Sequence, residues 1–254
     1  MSEVLAITNQ KGGVGKTTTS INLGSYLASE GKTVAIIDLD PQANATSGLG
    51  VSMTEKTATL YEVLVGQEVA LEALQSTEYD NLNIIPSTPN LAGAAIELMD
   101  GAYREYRLRR ALKPLKEYFD FILIDCPPSL GLLTINGLVA ADRVLIPVQC
   151  EFFAMKGLSQ LLDTVELVRQ HLNPRLQVVG ALLTMYDRRT AMARKIVREV
   201  RREFPGHVFD SVIPRNTELS EAPSVGQAII SYAKHSRGAK AYEYLAEELI
   251  NLYS

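Results

Sequence analysis

A glycine-rich turn near the start of the chain constrains the fold more than any other feature. Residues 10–18 read Gln-Lys-Gly-Gly-Val-Gly-Lys-Thr-Thr, and they follow the apolar run at residues 4–7 directly. A helical pattern with Ile21, Leu23 and Leu27 comes next. A strand, a glycine turn and a helix N-terminus form a phosphate cradle, because backbone N–H groups point inward and the helix dipole favours negative charge. The sequence therefore predicts a nucleotide-binding loop.

The end of this turn matches a known phosphate-binding pattern. Gly15, Lys16 and Thr17 fit the last positions of G-x-x-x-x-G-K-[ST], in which the lysine reaches the β- and γ-phosphates and the hydroxyl binds Mg²⁺. The first glycine of the pattern is missing, because Gln10 stands there, and a second lysine, Lys11, follows it. Lys11 is either a second phosphate ligand or a solvated loop charge.

The rest of the chain predicts one α/β domain, residues 1–254, with a doubly wound, mostly parallel sheet flanked by helices on both faces. Strand-length apolar runs alternate with helical patterns from end to end, and no repeat or linker interrupts them. The predicted strands are residues 4–8, 33–38, 82–86, 121–125, 143–148, 177–184 and 208–214. The predicted helices are residues 17–29, 103–118, 157–171, 193–204 and 239–253.

Composition favours a cytoplasmic protein with no membrane partner. The first predicted strand begins too early to leave room for a signal peptide, and no apolar run is long enough to cross a bilayer. Cys126 and Cys150 lack the spacing of metal ligands, so we expect two buried thiols in a reducing compartment.

The last predicted helix bears on membrane binding. Its polar face carries Glu243, Glu247 and Glu248, whereas a membrane-surface helix would carry lysine and arginine there. The opposite face carries leucines at 245, 249 and 252. We therefore expect a helix that docks on the domain.

Aspartates follow two predicted strands at the edge where ligands bind. Asp38 and Asp40 end the second strand, and Asp125 ends the fourth. In an open parallel sheet, ligands lie beyond the carboxyl ends of the strands, and a buried carboxylate needs a partner such as a metal-bound water. These residues are predicted to lie on the Mg²⁺ side of the site; for Asp125, a turn-forming role before proline is the weaker alternative.

The glycine turn resembles the deviant Walker A motif, K-G-G-x-G-K-[ST], of ATPases that include ParA/Soj partitioning proteins, MinD proteins and nitrogenase iron proteins. Further blocks resemble the ParA/Soj branch along nearly the whole chain. They are residues 38–42, 44–50, 125–129, 131–136, 146–151, 212–216 and 219–224. The cysteine spacing does not suit the iron proteins, and the acidic final helix does not suit MinD.

The resemblance implies a set of site residues and the cofactors ATP and Mg²⁺. It implies that Lys11 reaches across a dimer interface, where Gly12 also lies, to the partner's nucleotide. Asp40 would orient the attacking water, with Lys11 and Lys16 assisting catalysis, and Thr17, Asp40 and Asp125 would lie at the metal. Pro214 and Asn216 would pack against adenine. The remaining implied nucleotide ligands are Gly12, Gly13, Val14, Gly15, Lys16, Thr17 and Thr18.

The segment from Arg188 to Arg202 is strongly basic, although the formal charge of the whole chain is −4. Its arginines at 194, 198, 201 and 202 share one predicted helix face, opposite an apolar stripe. The residue pattern alone fits a solvated face as well as a phosphate-binding one. The resemblance implies sequence-independent DNA binding, although Glu218 stands where relatives can carry a basic residue. The predicted DNA contacts are Arg188, Arg189, Arg194, Arg198, Arg201, Arg202 and Arg215.

These expectations describe a ParA/Soj-type ATPase. ATP would join two copies, the ATP dimer would bind double-stranded DNA on the nucleoid, and a ParB-type partner would stimulate hydrolysis. Two alternatives remain: a MinD-like ATPase at a membrane surface, and an ATP-dependent metabolic synthetase of the same fold. A second basic helix could add to the DNA contact or simply be solvated. Its cations are Arg104, Arg107, Arg109, Arg110, Lys113 and Lys116.

Overall fold

The computed structural model describes residues 2–99, 101–151 and 154–253, with the side chains of residues 154–156 left aside. Within those residues, eight strands form one sheet in the order β3-β4-β2-β5-β1-β6-β7-β8. The β3–β4 pair is antiparallel and the remaining pairs are parallel, which confirms the predicted fold class. The strands are β1 (Glu3–Ile7), β2 (Val34–Asp38), β3 (Gln75–Ser76), β4 (Leu82–Ile85), β5 (Phe121–Asp125), β6 (Arg143–Gln149), β7 (Gln177–Tyr186) and β8 (Val208–Pro214).

Helices cover both faces of the sheet. They are α1 (Lys16–Ser29), α2 (Asn44–Gly48), α3 (Leu60–Val65), α4 (Leu91–Glu97), α5 (Arg107–Leu112), α6 (Leu132–Ala140), α7 (Ala154–His171), α8 (Ala191–Glu203), α9 (Glu218–Glu221), α10 (Ile229–Tyr232) and α11 (Arg237–Leu252). Short 3₁₀ helices span Arg104–Tyr106, Pro114–Glu117 and Ala222–Val225.

Two apolar cores lie on opposite faces of the sheet. One core joins residues of α3 to α8 to alternate positions of the strands, and the other joins α1, α10 and α11 to the intervening positions. Strands β2 and β5 are buried at every residue, as expected where helices cover both faces. Burial on both faces explains why these strands are continuous apolar runs in the sequence.

The parallel register places three strand ends at one edge. Ile7 and Asp38 are both paired with Asp125, so β1, β2 and β5 end together. The chain leaves β1 into the glycine turn and re-enters the fold as α1 at this edge. The sheet therefore supports the predicted site directly.

The predicted continuous helix at residues 103–118 is wrong. The structure breaks it into a 3₁₀ turn, α5 and a second 3₁₀ turn that begins at Pro114. Proline lacks the N–H that a helix interior requires, so the α-helix ends before it. Helices α3, α4 and α6 were also not predicted: α3 and α4 are short, and α6 is apolar on nearly every side and has little amphipathic pattern.

The final helix docks on the domain as predicted. Leu245 and Leu249 of α11 are fully buried, and Glu248 accepts hydrogen bonds from the backbone of Asp210 and Ser211 at 2.8 and 3.0 Å. Leu252, the last residue of α11, differs from the prediction, since 47% of it is exposed. No helix among the described residues is long and apolar enough to cross a membrane.

Gly180 in β7 provides a test of the packing on the α11 face. A Cβ at this position would lie 2.8 Å from the Phe209 ring and 3.0 Å from the His207 carbonyl oxygen. Overpacking of this kind costs about 1–3 kcal/mol, so Gly180→Ala should lower the urea midpoint of the nucleotide-free protein. Gly157→Ala in α7 is the control, because its Cβ would meet no described atom within 4 Å. An equal midpoint for both variants would contradict this packing.

Candidate functional site

Hydrogen bonds to residues far away in sequence hold the glycine turn in place. Gly13 and Gly15 have φ angles of +73° and +92°, which residues with a Cβ rarely adopt. The Asn9 amide donates to the Pro147 carbonyl at 2.7 Å, and the Thr184 hydroxyl donates to the Val14 carbonyl at 2.8 Å. The ends of β6 and β7 therefore position the loop at the N-terminus of α1.

Lys16 lies inside the loop. Only 6% of it is exposed, and its Nζ donates to the Lys11 carbonyl oxygen at 3.2 Å. Burial lowers the pKa of the Lys16 ammonium, an effect that the nearby charge of Asp125 opposes. A buried cation at a helix N-terminus is a suitable partner for phosphate oxygens.

Lys11 lies at the surface, in contrast to buried Lys16. Its Nζ contacts Gln149 Oε1 at 2.9 Å and Glu151 Oε2 at 3.1 Å, while 41% of its side chain is exposed. Gln149 also donates to Glu151 at 2.6 Å. The second lysine of the loop is thus held by exposed polar groups rather than in its own phosphate cradle.

Asp125 lies at the base of the loop and is fully buried. The Thr17 hydroxyl donates to its Oδ2 at 2.7 Å, and the Ser20 hydroxyl donates to its Oδ1 at 2.9 Å. Burial and the neighbouring Asp38 raise the pKa of Asp125, while the two hydroxyl donors oppose the rise. The sequence did not indicate Ser20, because a serine inside a helix gives no signal of a contact 105 residues away.

The hydroxyl of Thr17 and the carboxylate of Asp125 fit Mg²⁺. In nucleotide sites this ion takes one or two carboxylates, waters and substrate phosphates rather than a complete protein cage. Within the described ranges, no group of three or more His, Cys, Asp or Glu side chains could hold a metal ion by itself.

Asp38 and Asp40 have different surroundings. Asp38 is fully buried and accepts from the Thr46 backbone and hydroxyl at 2.8 and 2.7 Å. Burial raises the pKa of Asp38 despite these donors. Asp40 lines the same cavity as the glycine turn, and the Ser87 hydroxyl donates to its carbonyl oxygen at 2.8 Å. Asp38 therefore fixes the loop that carries Asp40.

Two adjoining cavities lie along the loop. The first cavity, of about 610 Å³, lies at the glycine turn and is lined by the predicted residues Gly12, Gly13, Lys16, Thr17 and Asp40. The second cavity, of about 480 Å³, is lined by the predicted residues Pro214 and Asn216. Gly15 and Thr18 line both, so the two cavities form one site of a size that suits a nucleotide.

The second cavity also contains one residue for which the sequence predicted another role and one that the sequence did not indicate. Arg215, predicted to contact DNA, lines the second cavity, together with Tyr242 from α11, which the sequence did not indicate. Asn216 also has a local role, because its Oδ1 accepts from the backbone of Leu219 at 3.1 Å.

The remaining predicted DNA contacts lie on an exposed surface around α8. Thr190 caps the helix by accepting from the Ala193 backbone at 3.2 Å, while Ile196 and Val200 face the core. Carboxylates partner part of the surface: Arg189 pairs with Asp187 and Arg201 pairs with Asp210. The predicted arginines that lie exposed here are Arg188, Arg189, Arg194, Arg198, Arg201 and Arg202.

The parallel sheet, the glycine loop and the carboxylate beneath it define a P-loop nucleotide-binding domain of doubly wound α/β fold. A family model for an AAA domain matches residues 2–178. The Soj sporulation initiation inhibitor of Bacillus subtilis is 54% identical over 98% of both chains. The ParA chromosome partitioning protein of Myxococcus xanthus is 51% identical over 98% of this chain and 88% of its own.

Among solved structures, a cobyrinic acid a,c-diamide synthase from Mycobacterium smegmatis, with bound ADP and magnesium, is 40% identical. Its TM-score is 0.88, over 100% of this chain and 96% of its own. The chain belongs to the Soj/ParA family of chromosome-partitioning ATPases.

The paired aspartates generate a pH prediction. Because burial raises the pKa of Asp125, the folded state keeps a proton that the unfolded state loses as the pH rises above 3.8. The free energy of unfolding should therefore fall as the pH rises from there towards the raised pKa. In magnesium- and nucleotide-free buffer, Asp125→Asn should flatten the dependence of the urea midpoint on pH between about 4 and 7. Exposed Asp80→Asn is the control, and equal slopes in both variants would contradict the account.

Proposed function

We propose that this protein is a Mg-ATP-dependent dimerising ATPase that binds DNA without sequence preference as the ATP dimer. It acts in chromosome or plasmid segregation, and a ParB-type partner stimulates its hydrolysis. The observation that carries the proposal is the opposite placement of two lysines in one loop, with Lys16 buried inside it and Lys11 at its surface. The 54% identity to Soj supports the cellular role.

The loop residues divide the chemistry of phosphate transfer. Lys16 and the backbone of residues 12–18 bind the β- and γ-phosphates, and Thr17 and Asp125 hold Mg²⁺. Mg²⁺ supplies neutralisation of the charge that develops on the phosphate oxygens. Asp40 lies at the same cavity and orients the attacking water. Pro214 and Asn216 contact the base, while Arg215 lies at the edge of that cavity.

ATP binding by two copies gives Lys11 a new partner. In one copy Lys11 contacts Gln149 and Glu151 at the surface. An exposed ion pair of this kind is worth about 1 kcal/mol or less, so a triphosphate presented by a second copy can displace it. Each copy then lends a cation to its partner's site, and hydrolysis weakens the attachment because the γ-phosphate leaves.

A substitution at Gly12 tests this interface without disturbing the packing of the monomer. A Cβ there would meet no described atom within 4 Å, so Gly12→Val should fold and bind nucleotide normally. Two copies that press together through this loop have no room for the branched side chain. Size-exclusion chromatography with a non-hydrolysable ATP analogue should show a wild-type dimer and a Gly12→Val monomer. Gly12→Ala is the graded control, and a persistent Gly12→Val dimer would refute the interface.

The α8 surface supplies the proposed DNA contact. It presents arginines without a pattern for reading bases, so its attraction is to phosphate. Two such surfaces in one dimer bind together, and a weak contact becomes useful through avidity. DNA binding is therefore coupled to ATP, and it places the protein on the nucleoid.

Removal of two α8 arginines should weaken DNA binding by an electrostatic route. Arg194→Ala/Arg198→Ala should reduce retention on DNA with ATP and lower the slope of log K against log salt by about 0.9 per lost phosphate contact. Lys56→Ala/Lys240→Ala removes the same charge from exposed positions elsewhere and should bind as the wild type does. Full affinity in the α8 variant, or salt-independent binding, would exclude this surface.

A metabolic synthetase is the second candidate, because the M. smegmatis structure carries such a name at 40% identity. We favour the partitioning role because the identity to Soj is higher, and because Lys16 and Asp40, the charged residues among those that line the cavity at the glycine turn, both have roles in the proposed phosphate transfer. Turnover with and without DNA separates the two. Stimulation by DNA and by a ParB-type peptide supports partitioning, whereas indifference to DNA supports a synthetase.

A further inference from the structure

A basic cavity of about 470 Å³ lies at the sheet edge opposite the nucleotide site. Asp142 marks this edge, because its backbone N–H donates to the Val4 carbonyl at 2.8 Å just before β6 begins. Among the described lining residues, the charged groups are five cations and one carboxylate. They are Arg109, Arg110, Lys113, Lys116, Arg175 and Asp142.

Asp142 in the lining and the neighbouring Glu3, which interacts with Lys116, leave most of this positive charge uncompensated. Asp142 Oδ2 already accepts from Lys116 at 2.8 Å and from the Val4 backbone at 3.0 Å. On a chain with a formal charge of −4, such a concentration of cations around one concave site favours an anionic ligand.

The walls of the cavity are fixed to the fold. On one side, the α5 backbone N–H of Leu108 donates to buried Asn136 of α6 at 3.1 Å. On the other side, buried Asn173 donates to three carbonyl oxygens at the end of α6, at 2.7 to 3.2 Å. The Tyr106 hydroxyl joins the two sides by donating to the Leu172 carbonyl at 3.2 Å. Fixed walls reduce the ordering cost of binding.

The hydrogen bonds of Asn173 also reduce the electrostatic repulsion that an anion would meet in this cavity. The end of α6 faces the cavity, and the free carbonyls of a helix C-terminus repel negative charge. The amide of Asn173 occupies the Leu138, Val139 and Ala141 carbonyls, so these oxygens are hydrogen-bonded rather than bare.

We propose that this cavity binds a small oligophosphate, either free or as the phosphate tail of a nucleotide, independently of the P-loop. The cations come from two facing segments, Arg109 to Lys116 on one side and Arg175 on the other. Facing cations enclose a compact ligand of high charge, whereas a DNA backbone crosses a surface from outside. The volume of the cavity accommodates an oligophosphate.

Titration calorimetry on the full chain tests the site. The protein is first saturated with Mg-ADP to fill the P-loop, with equal free Mg²⁺ in both solutions, and is then titrated with tripolyphosphate or with further ADP. A saturable isotherm with tripolyphosphate identifies a free oligophosphate, and a second ADP equivalent identifies a nucleotide tail. Arg109→Ala/Lys113→Ala should weaken that binding by about tenfold or more, because bonds to charged groups are lost. Arg175→Glu, which reverses a charge in the other segment of the lining, should weaken the same binding.

Two variants serve as controls with the same loss of charge. Lys56→Ala/Lys240→Ala and Arg194→Ala/Arg198→Ala should both keep wild-type affinity. The proposal fails if the wild type shows no saturable binding of either probe, or if the cavity variants bind as tightly as the controls. Loss of DNA retention in Arg109→Ala/Lys113→Ala without any oligophosphate binding also overturns it, and would assign these cations to the DNA surface.

Discussion

A hydrogen bond between Thr17 and Asp125 joins the glycine loop to the end of β5, the two parts of the molecule on which the proposed chemistry depends. The 2.7 Å contact connects the first turn of α1 to the end of β5, across 108 residues of sequence. It forms because β1, β2 and β5 end in register, which brings the glycine loop above the carboxylate. Ser20 secures the other oxygen of Asp125, so the carboxylate is oriented before any ligand arrives.

The site concentrates buried charge that the fold alone compensates only in part. Lys16, Asp38 and Asp125 are all removed from water, and burial shifts the pKa of each group towards its neutral form. In the proposed function, a triphosphate with Mg²⁺ would supply partners for two of these groups: phosphate oxygens for Lys16 and a metal for Asp125. Ligand binding should therefore favour the charged form of these two groups.

The sequence predicted the architecture and the loop well, and their physical reasons are local. Fully apolar strands, glycines at positive φ and a Gly-Lys-Thr end leave few alternatives, so residues 11–18 and the edge with Asp38 and Asp125 followed directly. The contacts that hold the site were not visible. These contacts are Thr184 on the loop, Ser87 on the Asp40 backbone, and Gln149 with Glu151 on Lys11. The partners come from distant strands or from the residues just after them, and only the folded register brings them together.

The helical predictions likewise succeeded where a helix has its own sequence pattern and failed where tertiary packing determines it. Amphipathic helices such as α8 and α11 were found because one face is polar, whereas α6 is packed between its neighbours and has no polar stripe. Pro114 was a visible breaker in the predicted helix at 103–118, and the structure follows it. The basic cavity depends on α5 and Arg175 lining the same concave site, which no sequence spacing indicates.

The central claim is that Lys11 acts on the nucleotide of the partner, and mixing two inactive variants tests it most directly. Lys11→Ala retains Asp40, and Asp40→Ala retains Lys11, so a mixed dimer contains one site with both groups only if the lysine crosses the interface. We predict that each variant alone lacks ATP turnover and that the mixture recovers a fraction of the wild-type rate. If the mixture is as inactive as its components while mixed dimers form, Lys11 acts within its own subunit and the account is wrong.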